Sequence, residues 1–188
     1  MPSSEPTIVY TDGACLGNPG PGGWAWAVPR GAYASGSASR TTNQRMEIQA
    51  ALEAVRALGS PTGVKVFSDS TYVVNCFRDR WWEGWLRRGW VNSARKPVAN
   101  RDLWEPLVDL VRSRGNVTFQ WVKGHSGDVM NDFVDELAVY AARTQSSQSG
   151  NMATEAADAT ARGVARVPRT GRPGRPSRPS RSRRTSRP

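Results

Sequence analysis

Four acidic side chains stand at positions that folding alone does not require. Asp12 and Asp69 each end a short apolar run, Glu47 borders the start of a helical apolar pattern, and Asp135 borders another such pattern. Carboxylates that converge on one face repel one another by several kcal/mol at separations of a few Å. Divalent cations with oxygen ligands remove that repulsion. Two such ions about 4 Å apart form a clamp for in-line phosphodiester displacement.

Each of these acids also has a purely structural interpretation. Asp12 and Asp69 precede Gly13 and Ser70, so both suit turns or helix caps. Glu47 lies in a first helical turn, where the helix dipole favours an acid. Asp135 suits a solvated helix face. The metal-binding interpretation therefore depends on all four acids being brought together.

His125 is the only histidine of the chain, and it lies between two glycines in the segment KGHSG (residues 123–127). A lone histidine is often a surface or turn residue. Its place just before the helix that carries Asp135 favours proton transfer, because a neutral imidazole can take or relay a proton near pH 7.

Alternating patterns predict the strands that would carry these residues, and helical spacing predicts the helices between them. Two strands ending at Asp12 and Asp69 would place both carboxylates in one crevice if they were parallel neighbours. Five strands with interspersed helices predict a layered α/β fold. The predicted strands are Thr7–Asp12, Gly23–Val28, Tyr33–Ser39, Val64–Ser68 and Val117–Val122. Thr41 and Gln44 predict a capping box that begins the first helix, which would run over residues 42–58. The other predicted helices are Thr71–Arg80, Trp81–Trp90, Asn100–Val111 and Met130–Ala141.

Charge divides the chain of 188 residues into two parts. Residues 1–143 carry 16 basic and 14 acidic side chains, whereas residues 144–188 carry 10 Arg and two acids. Such a basic segment without aromatic residues cannot bury enough apolar area to fold. We therefore predict a catalytic domain over residues 1–143 and a disordered Arg/Pro/Ser-rich tail over residues 144–188.

Within this tail, Arg recurs at every third position from Arg166 to Arg187. Interspersed Pro favours polyproline II, which has three residues per turn and would align these side chains on one edge. We interpret the tail as a phosphate tether of no sequence specificity. A solubilising low-complexity segment is the alternative.

Composition excludes several classes of protein. No apolar run approaches the roughly 20 residues of a membrane span, and the first ten residues lack the basic leader and apolar core of a signal peptide. Two cysteines and one histidine provide neither a disulfide framework nor an ordinary zinc site. We expect a cytoplasmic monomer that makes no membrane contact.

Six segments, in this order, closely resemble type 1 ribonuclease H of the bacterial kind. The resemblance covers about residues 7–143 and implies a ribonuclease H-like α/β fold, with a five-stranded mixed sheet (three antiparallel strands, two parallel) and helices on both faces. It also implies Mg²⁺-dependent cleavage of the RNA strand of RNA–DNA hybrids by two ions, with Mn²⁺ as a substitute, leaving 3′-hydroxyl and 5′-phosphate ends. The segments are TDGACLGNPGPGGW (11–24), RTTNQRMEIQA (40–50), SDSTYV (68–73), GWLRRGW (84–90), KPVANRDLW (96–104) and WVKGHSG…NDFVDELA (121–138).

The resemblance also implies a role for individual residues. The metal-binding carboxylates would be Asp12, Glu47, Asp69 and Asp135, with His125 assisting proton transfer and product release. Asp132 lies nearby and is treated as peripheral. The residues that would read 2′-hydroxyls across the minor groove are Cys15, Asn18, Asn43 and Gln44. A pocket for a DNA-strand phosphate would be formed by Arg40, Thr42 and Asn100.

A basic, aromatic protrusion for substrate binding is implied as well, formed by Trp81, Trp85, Trp90, Arg87 and Arg88. The alternative for the Trp residues is core packing. Glu83 and Leu86 dilute the basic character of this segment, so we expect it to contribute less than usual.

Two other functions stay open. A non-catalytic nucleic-acid binder would bind through its tail, but it would gain nothing from repulsive acids beside phosphates. A DNA-processing nuclease of the same fold is the other alternative, and the TTNQRME and GWLRRGW segments argue against it.

Overall fold

The computed structural model describes residues 5–59 and 61–161, which form an α/β structure. Its strands are β1 (Thr7–Cys15), β2 (Gly20–Ala27), β3 (Ala32–Thr41), β4 (Val64–Ser68), β5 (Val117–Trp121) and β6 (Gln148–Asn151). Its helices are α1 (Asn43–Ala57), α2 (Thr71–Arg78), α3 (Trp81–Arg87), α4 (Arg101–Arg114), α5 (Val129–Thr144) and α6 (Met152–Ala161).

One mixed sheet runs through this part of the chain in the order β5-β4-β1-β2-β3-β6. β1, β2 and β3 form an antiparallel meander, β4 pairs parallel with β1, and β5 pairs parallel with β4. β6 adds an antiparallel strand to the edge of β3. The mixed sheet is therefore confirmed, but the prediction of five strands is wrong because the described chain has six.

The sixth strand comes from a segment that composition assigned to the disordered tail. β6 pairs with the first residues of β3, and the backbone N–H of Met152 donates to the carbonyl of Gly31 over 3.0 Å. The hydroxyl of Tyr33 donates to Glu155 on α6 over 2.8 Å. The prediction of disorder is thus wrong for residues 148–161, since backbone pairing to an open sheet edge needs little apolar area. The arginine repeat at 166–187 lies outside the described residues.

β1 does not end at Asp12, as its sequence pattern predicts, but continues to Cys15. The parallel register between β1 and β4 runs only as far as Thr11 opposite Ser68. Asp12 and Asp69 therefore each follow the last residue of the parallel pairing, and they leave the β1–β4 pair at the same end.

In the part of the chain that the structure describes, hydrophobic residues form two clusters around β2. Trp26 belongs to the cluster built with α1 and α4, whereas its neighbours Ala25 and Ala27 belong to the cluster built with α5. Successive side chains of a strand point to opposite faces of the sheet. α1 and α5 therefore pack on opposite sides of β2, and each carries an acidic side chain toward the end of the sheet where Asp12 lies.

Helix α4 continues through Pro106, although proline inside a helix removes one backbone hydrogen bond. Its buried residues include Trp104 and Leu107, both with no exposed surface. This apolar face packs with α1 in the same hydrophobic cluster. Among the described helices, none is long and apolar enough to cross a bilayer.

Candidate active site

Asp12 is the most buried of the four acids, with 7% of its surface exposed. The backbone N–H of Gly13 donates to its Oδ1 over 2.7 Å. Burial, together with the negative charges of Asp69, Asp135 and Glu47, raises the pKa of Asp12 to about 8, against the hydrogen bond from Gly13. The other three acids therefore lie close enough to Asp12 for their charges to disfavour its ionisation.

Glu47 reaches Asp12 because the first turn of α1 packs directly on β1. A Cβ at Gly13 would overlap the backbone of Met46 and Glu47, so only glycine permits this approach. The carboxylate accepts hydrogen bonds from Asn43 Nδ2 at 2.7 Å and from Ser70 Oγ at 2.6 Å. Burial, and then the charge of Asp69, raise the pKa of Glu47, and the two hydrogen bonds oppose this shift.

Asp69 follows β4 and is approached from three elements. Asn131 of α5 donates through Nδ2 to its Oδ2 over 3.4 Å, and Trp121 Nε1 donates to its backbone carbonyl over 3.1 Å. Gly124 lies so close that a Cβ there would contact the carboxylate. The exposed His125 follows in the left-handed region, at φ 51°.

One open cleft contains all five predicted catalytic residues. Asp12, Glu47, Asp69, Asp135 and His125 line it together. Distant segments therefore supply their side chains to one place, as the metal-binding interpretation requires.

The donor set of this cleft fits a hard divalent cation, because carboxylate oxygens are the ligands that such ions prefer. Among the described residues, no three His, Cys, Asp or Glu side chains are placed so that they could hold an ion as they stand. The negative charges of Asp69, Asp135 and Glu47 repel that of Asp12, and both oxygens of Glu47 are held by Asn43 and Ser70. Binding of a cation would remove that repulsion.

The four predicted minor-groove residues lie beside the cleft. Cys15 and Asn43 line it. The exposed Asn18 accepts a hydrogen bond from the backbone N–H of Asn43 over 3.1 Å, and Gln44 is exposed in the first turn of α1. The loop after β1 and the start of α1 therefore form one polar surface that leads to Glu47.

The predicted phosphate pocket lies at the N-terminal ends of two helices. Thr42 caps α1, where its hydroxyl accepts from the backbone N–H of Arg45 over 3.3 Å. Asn100 precedes α4 and accepts through Oδ1 from Arg45 Nη1 over 3.3 Å. Arg40 is exposed near the end of β3. Arg45 connects the two helix ends.

The tryptophans of the predicted protrusion divide into two groups. Trp85 and Trp90 are 8% and 6% exposed and pack against each other at 5.9 Å between ring centroids. Trp85 also contacts Trp104 at 5.5 Å. Their burial supports the core-packing alternative for both and argues against substrate contact by Trp85. Trp81, 36% exposed, is available to a ligand.

The charged side chains of the protrusion surround α3. Arg87 and Arg88 are exposed, and Arg88 Nε donates to the carbonyl of Val91 over 3.0 Å. Glu83 forms an ion pair with Arg80. The charge of Glu83 is thus neutralised by Arg80, the residue that precedes α3. Arg87 and Arg88 stay exposed.

Sequence reasoning missed three residues that support the site. Ser70 holds Glu47, Asn131 contacts Asp69, and Arg45 joins Thr42 to Asn100. Ser70 and Asn131 lie within the quoted motifs, so their nearness to Asp69 and Asp135 in the sequence was a usable signal. Nothing in the sequence indicated that Arg45 would contact α4.

Comparison with known proteins agrees with this geometry. The family model for RNase H matches residues 4–143. Ribonuclease H of Symbiobacterium thermophilum is 51% identical over 143 residues, which cover 73% of this chain and 97% of the relative. Ribonuclease H of Erythrobacter litoralis is 48% identical over 141 residues and covers 73% of this chain and 96% of the relative.

A solved structure extends the agreement to the fold. LC9-RNase H1, described as a type 1 RNase H with the type 2 active-site motif, superposes with a TM-score of 0.65 at 32% identity, covering 86% of this chain and 82% of that chain. The matches define an enzyme of the hydrolase class, an endonuclease. The chain belongs to the ribonuclease H family, whose members depend on divalent metal ions.

Proposed function

We propose that this enzyme hydrolyses the RNA strand of RNA–DNA hybrids with Mg²⁺, two ions per site, and leaves 3′-hydroxyl and 5′-phosphate ends. The observation that carries the proposal is the cleft in which Asp12, Glu47, Asp69 and Asp135 converge. Repulsive acids beside a phosphodiester favour catalysis over simple binding, because a binder would lose affinity to them. Mn²⁺ is proposed as a substitute ion.

In this proposal the four carboxylates are the metal ligands. Divalent ions held by these carboxylates would supply an activated water and would neutralise the charge that develops on the phosphate. Asn43 and Ser70 orient Glu47, while Asn131 orients Asp69. The exposed His125 at the mouth of the cleft exchanges protons with the attacking water or the leaving oxygen.

Substrate selection follows from the polar surface and the phosphate pocket. Cys15, Asn18, Asn43 and Gln44 would contact 2′-hydroxyls of the RNA strand without reading bases. Arg40, Thr42 and Asn100 would hold a phosphate of the DNA strand, whose deformability favours it over RNA. Trp81, Arg87 and Arg88 would add backbone contacts on the protrusion.

One cleavage assay tests the proposed function. A labelled RNA–DNA hybrid with Mg²⁺ is compared with double-stranded DNA, double-stranded RNA and the hybrid in EDTA. We expect cleavage of the ribo-strand of the hybrid alone, and only with the ion. Cleavage of DNA would favour the DNA-processing nuclease, and binding without cleavage would favour the non-catalytic binder.

Sizing by gel filtration tests the predicted monomer, while a cytoplasmic location stays a prediction.

We expect His125→Ala to slow hydrolysis about a hundredfold without abolishing it, because general acid–base catalysis contributes on that scale while the carboxylates stay in place. Single-turnover cleavage at saturating Mg²⁺ measures this. The melting temperature serves as the control, and it should fall only slightly, because His125 is exposed and the variant loses only the small difference between His and Ala at φ 51°. Either full activity or complete loss would contradict the proton-transfer role.

The arginine-rich tail is proposed as a nucleic-acid tether. A full-length variant with Gln at the eight periodic Arg positions from Arg166 to Arg187 keeps the chain length and removes the charge. We expect it to bind the hybrid less tightly and with a shallower dependence on salt, by about 0.9 in the log–log slope for each duplex phosphate that the tail no longer neutralises. Fluorescence anisotropy over a range of NaCl concentrations measures the slope. An unchanged slope would favour the solubilising tail.

A further inference from the structure

Arg45 lies in the first turn of α1, and its guanidinium contacts the N-terminal end of α4. Its Nη1 and Nη2 donate to the two carboxylate oxygens of Asp102, at 3.0 Å and 2.6 Å, in the bidentate geometry that suits a guanidinium. Nη1 also donates to Oδ1 of Asn100 over 3.3 Å. Arg45 lowers the pKa of Asp102, so this carboxylate stays charged and holds the guanidinium in place.

The side chain of Asn100 does not cap α4, although the residue stands at the N-cap position. An Asn before a helix usually caps it by accepting from a backbone N–H of the first turn, but Asn100 makes no side-chain cap hydrogen bond. Its backbone is left-handed, with φ 59°, a conformation that Asn tolerates better than most residues. The side chain is therefore free to serve another partner.

The contact with Arg45 also decides which way the amide of Asn100 faces. A guanidinium has donors only, so the carbonyl oxygen of the amide must point toward Arg45. The NH₂ group, with two donors, then points away from it. Donors are what a phosphate oxygen requires, and an amide turned the other way would present a repulsive oxygen.

Arg45 also contacts Thr42. The backbone N–H of Arg45 donates to the hydroxyl of Thr42 over 3.3 Å. Arg45 thus engages two residues of the phosphate pocket, one through its backbone and one through its side chain. Its side chain therefore fixes the direction of the Asn100 amide, while its backbone N–H bonds to the Thr42 hydroxyl.

We propose that Arg45 is the positioning residue of the DNA-strand phosphate pocket and acts by holding Asn100 with its amide donors outward. The inference rests on the proposed function for the identity of the ligand. Its consequence is specific: loss of Arg45 weakens binding of the hybrid through one phosphate and leaves the chemistry of the carboxylate cleft unchanged.

Binding in EDTA tests this without any cleavage. We expect Arg45→Met to raise the Kd for an RNA–DNA hybrid about five- to tenfold, the effect of weakening one hydrogen bond to a charged group. Arg56→Met removes an ion-paired arginine from the same helix and is the matched control, with a Kd within about twofold of wild type. Under Mg²⁺ the Arg45 variant should show a higher KM and an unchanged kcat.

A double-mutant cycle separates positioning from general damage. In the Asn100→Ala background, Arg45→Met should change Kd little, because no amide is left to orient. A methylphosphonate removes the charge of one DNA-strand phosphate. With the wild-type protein, it should raise the Kd of the hybrid by a similar factor, and only when it stands at the one phosphate that the pocket holds. Equal effects of Arg45→Met in both backgrounds, or a lower kcat with unchanged KM, would overturn the proposal.

Asp102→Asn provides a second variant at an exposed position, 63% exposed, that keeps the proposal testable if Arg45→Met folds poorly. We expect a smaller rise in Kd than for Arg45→Met, because Arg45 loses the charge of its partner Asp102 but still contacts Asn100. A lower Kd would overturn the proposal, since it would mean that the released guanidinium binds phosphate itself. If the wild-type enzyme fails to cleave the hybrid with Mg²⁺, the proposed function fails, whatever the binding cycle gives.

Discussion

Replacement of Asp12 by Asn is expected to reduce hydrolysis of the ribo-strand by roughly a thousandfold or more while the fold stays intact. Asn is nearly isosteric and removes only the charge. The loss corresponds to the several kcal/mol of transition-state stabilisation that a metal centre contributes. Asp12 lies at the centre of the acidic cleft, so its charge cannot be replaced by that of a neighbour. Single-turnover cleavage with Mg²⁺ measures the loss.

Asp132→Asn is the matched control for this variant. Asp132 also bears a carboxylate near the cleft, but it is not among the residues that line it. Its replacement should leave the cleavage rate within about threefold of wild type. Equal activity of Asp12→Asn and wild type would contradict the metal-ligand assignment.

Asp12→Asn should also stabilise the metal-free protein, by an amount that depends on pH. The pKa of Asp12 is 3.8 in its ordinary state and about 8 in the fold, so the folded state binds more protons between these values. Wild-type stability in EDTA therefore falls as the pH rises from about 4 to about 8. Asp12→Asn removes this loss, and its gain in melting temperature should grow over that range. A constant difference would contradict the burial and repulsion inferred for Asp12.

Gly13→Ala is expected to damage both stability and activity, because the new Cβ would meet the backbone of Met46 and Glu47. Overpacking of this kind costs about 1–3 kcal/mol. Moving α1 away from β1 also displaces Glu47 from Asp12, and a misplacement of about 1 Å can cost about a hundredfold in rate. Urea unfolding measures the first effect, and single-turnover cleavage measures the second.

Gly59→Ala is the control, because a Cβ there meets no atom within 4 Å and the residue has no positive φ. We expect it to be neutral or slightly stabilising, since it lowers the entropy of the unfolded chain. Wild-type stability and activity in Gly13→Ala would show that α1 does not need to approach β1 as closely as it does here.

Local sequence patterns were enough to predict many of the strands and helices. Val64–Ser68 alternates and is bounded by turn residues, and it forms β4 over the predicted range. β6 was missed because its four residues, Gln148–Asn151, have no apolar pattern. Its stability comes from backbone hydrogen bonds to β3, which do not depend on side-chain type.

The strand that carries Asp12 shows a second limit. The Asp12-Gly13 pair predicts a turn, yet β1 continues because Gly13 is needed for the approach of α1 and pairs with Trp24 on β2. The prediction that Asp12 and Asp69 lie together did not need the strand to end. It required only that both follow the last parallel pair of β1 and β4.

For this protein, residue types and their order were sufficient to identify the family and to predict the four acids and the histidine as its site, because a chemical task restricts which side chains can stand at a site. Only the tertiary structure decided which neighbours hold those side chains. Ser70 on Glu47, Asn131 on Asp69 and Arg45 on Asn100 are contacts between separate elements. Such contacts depend on register and packing distance, which a one-dimensional pattern does not contain.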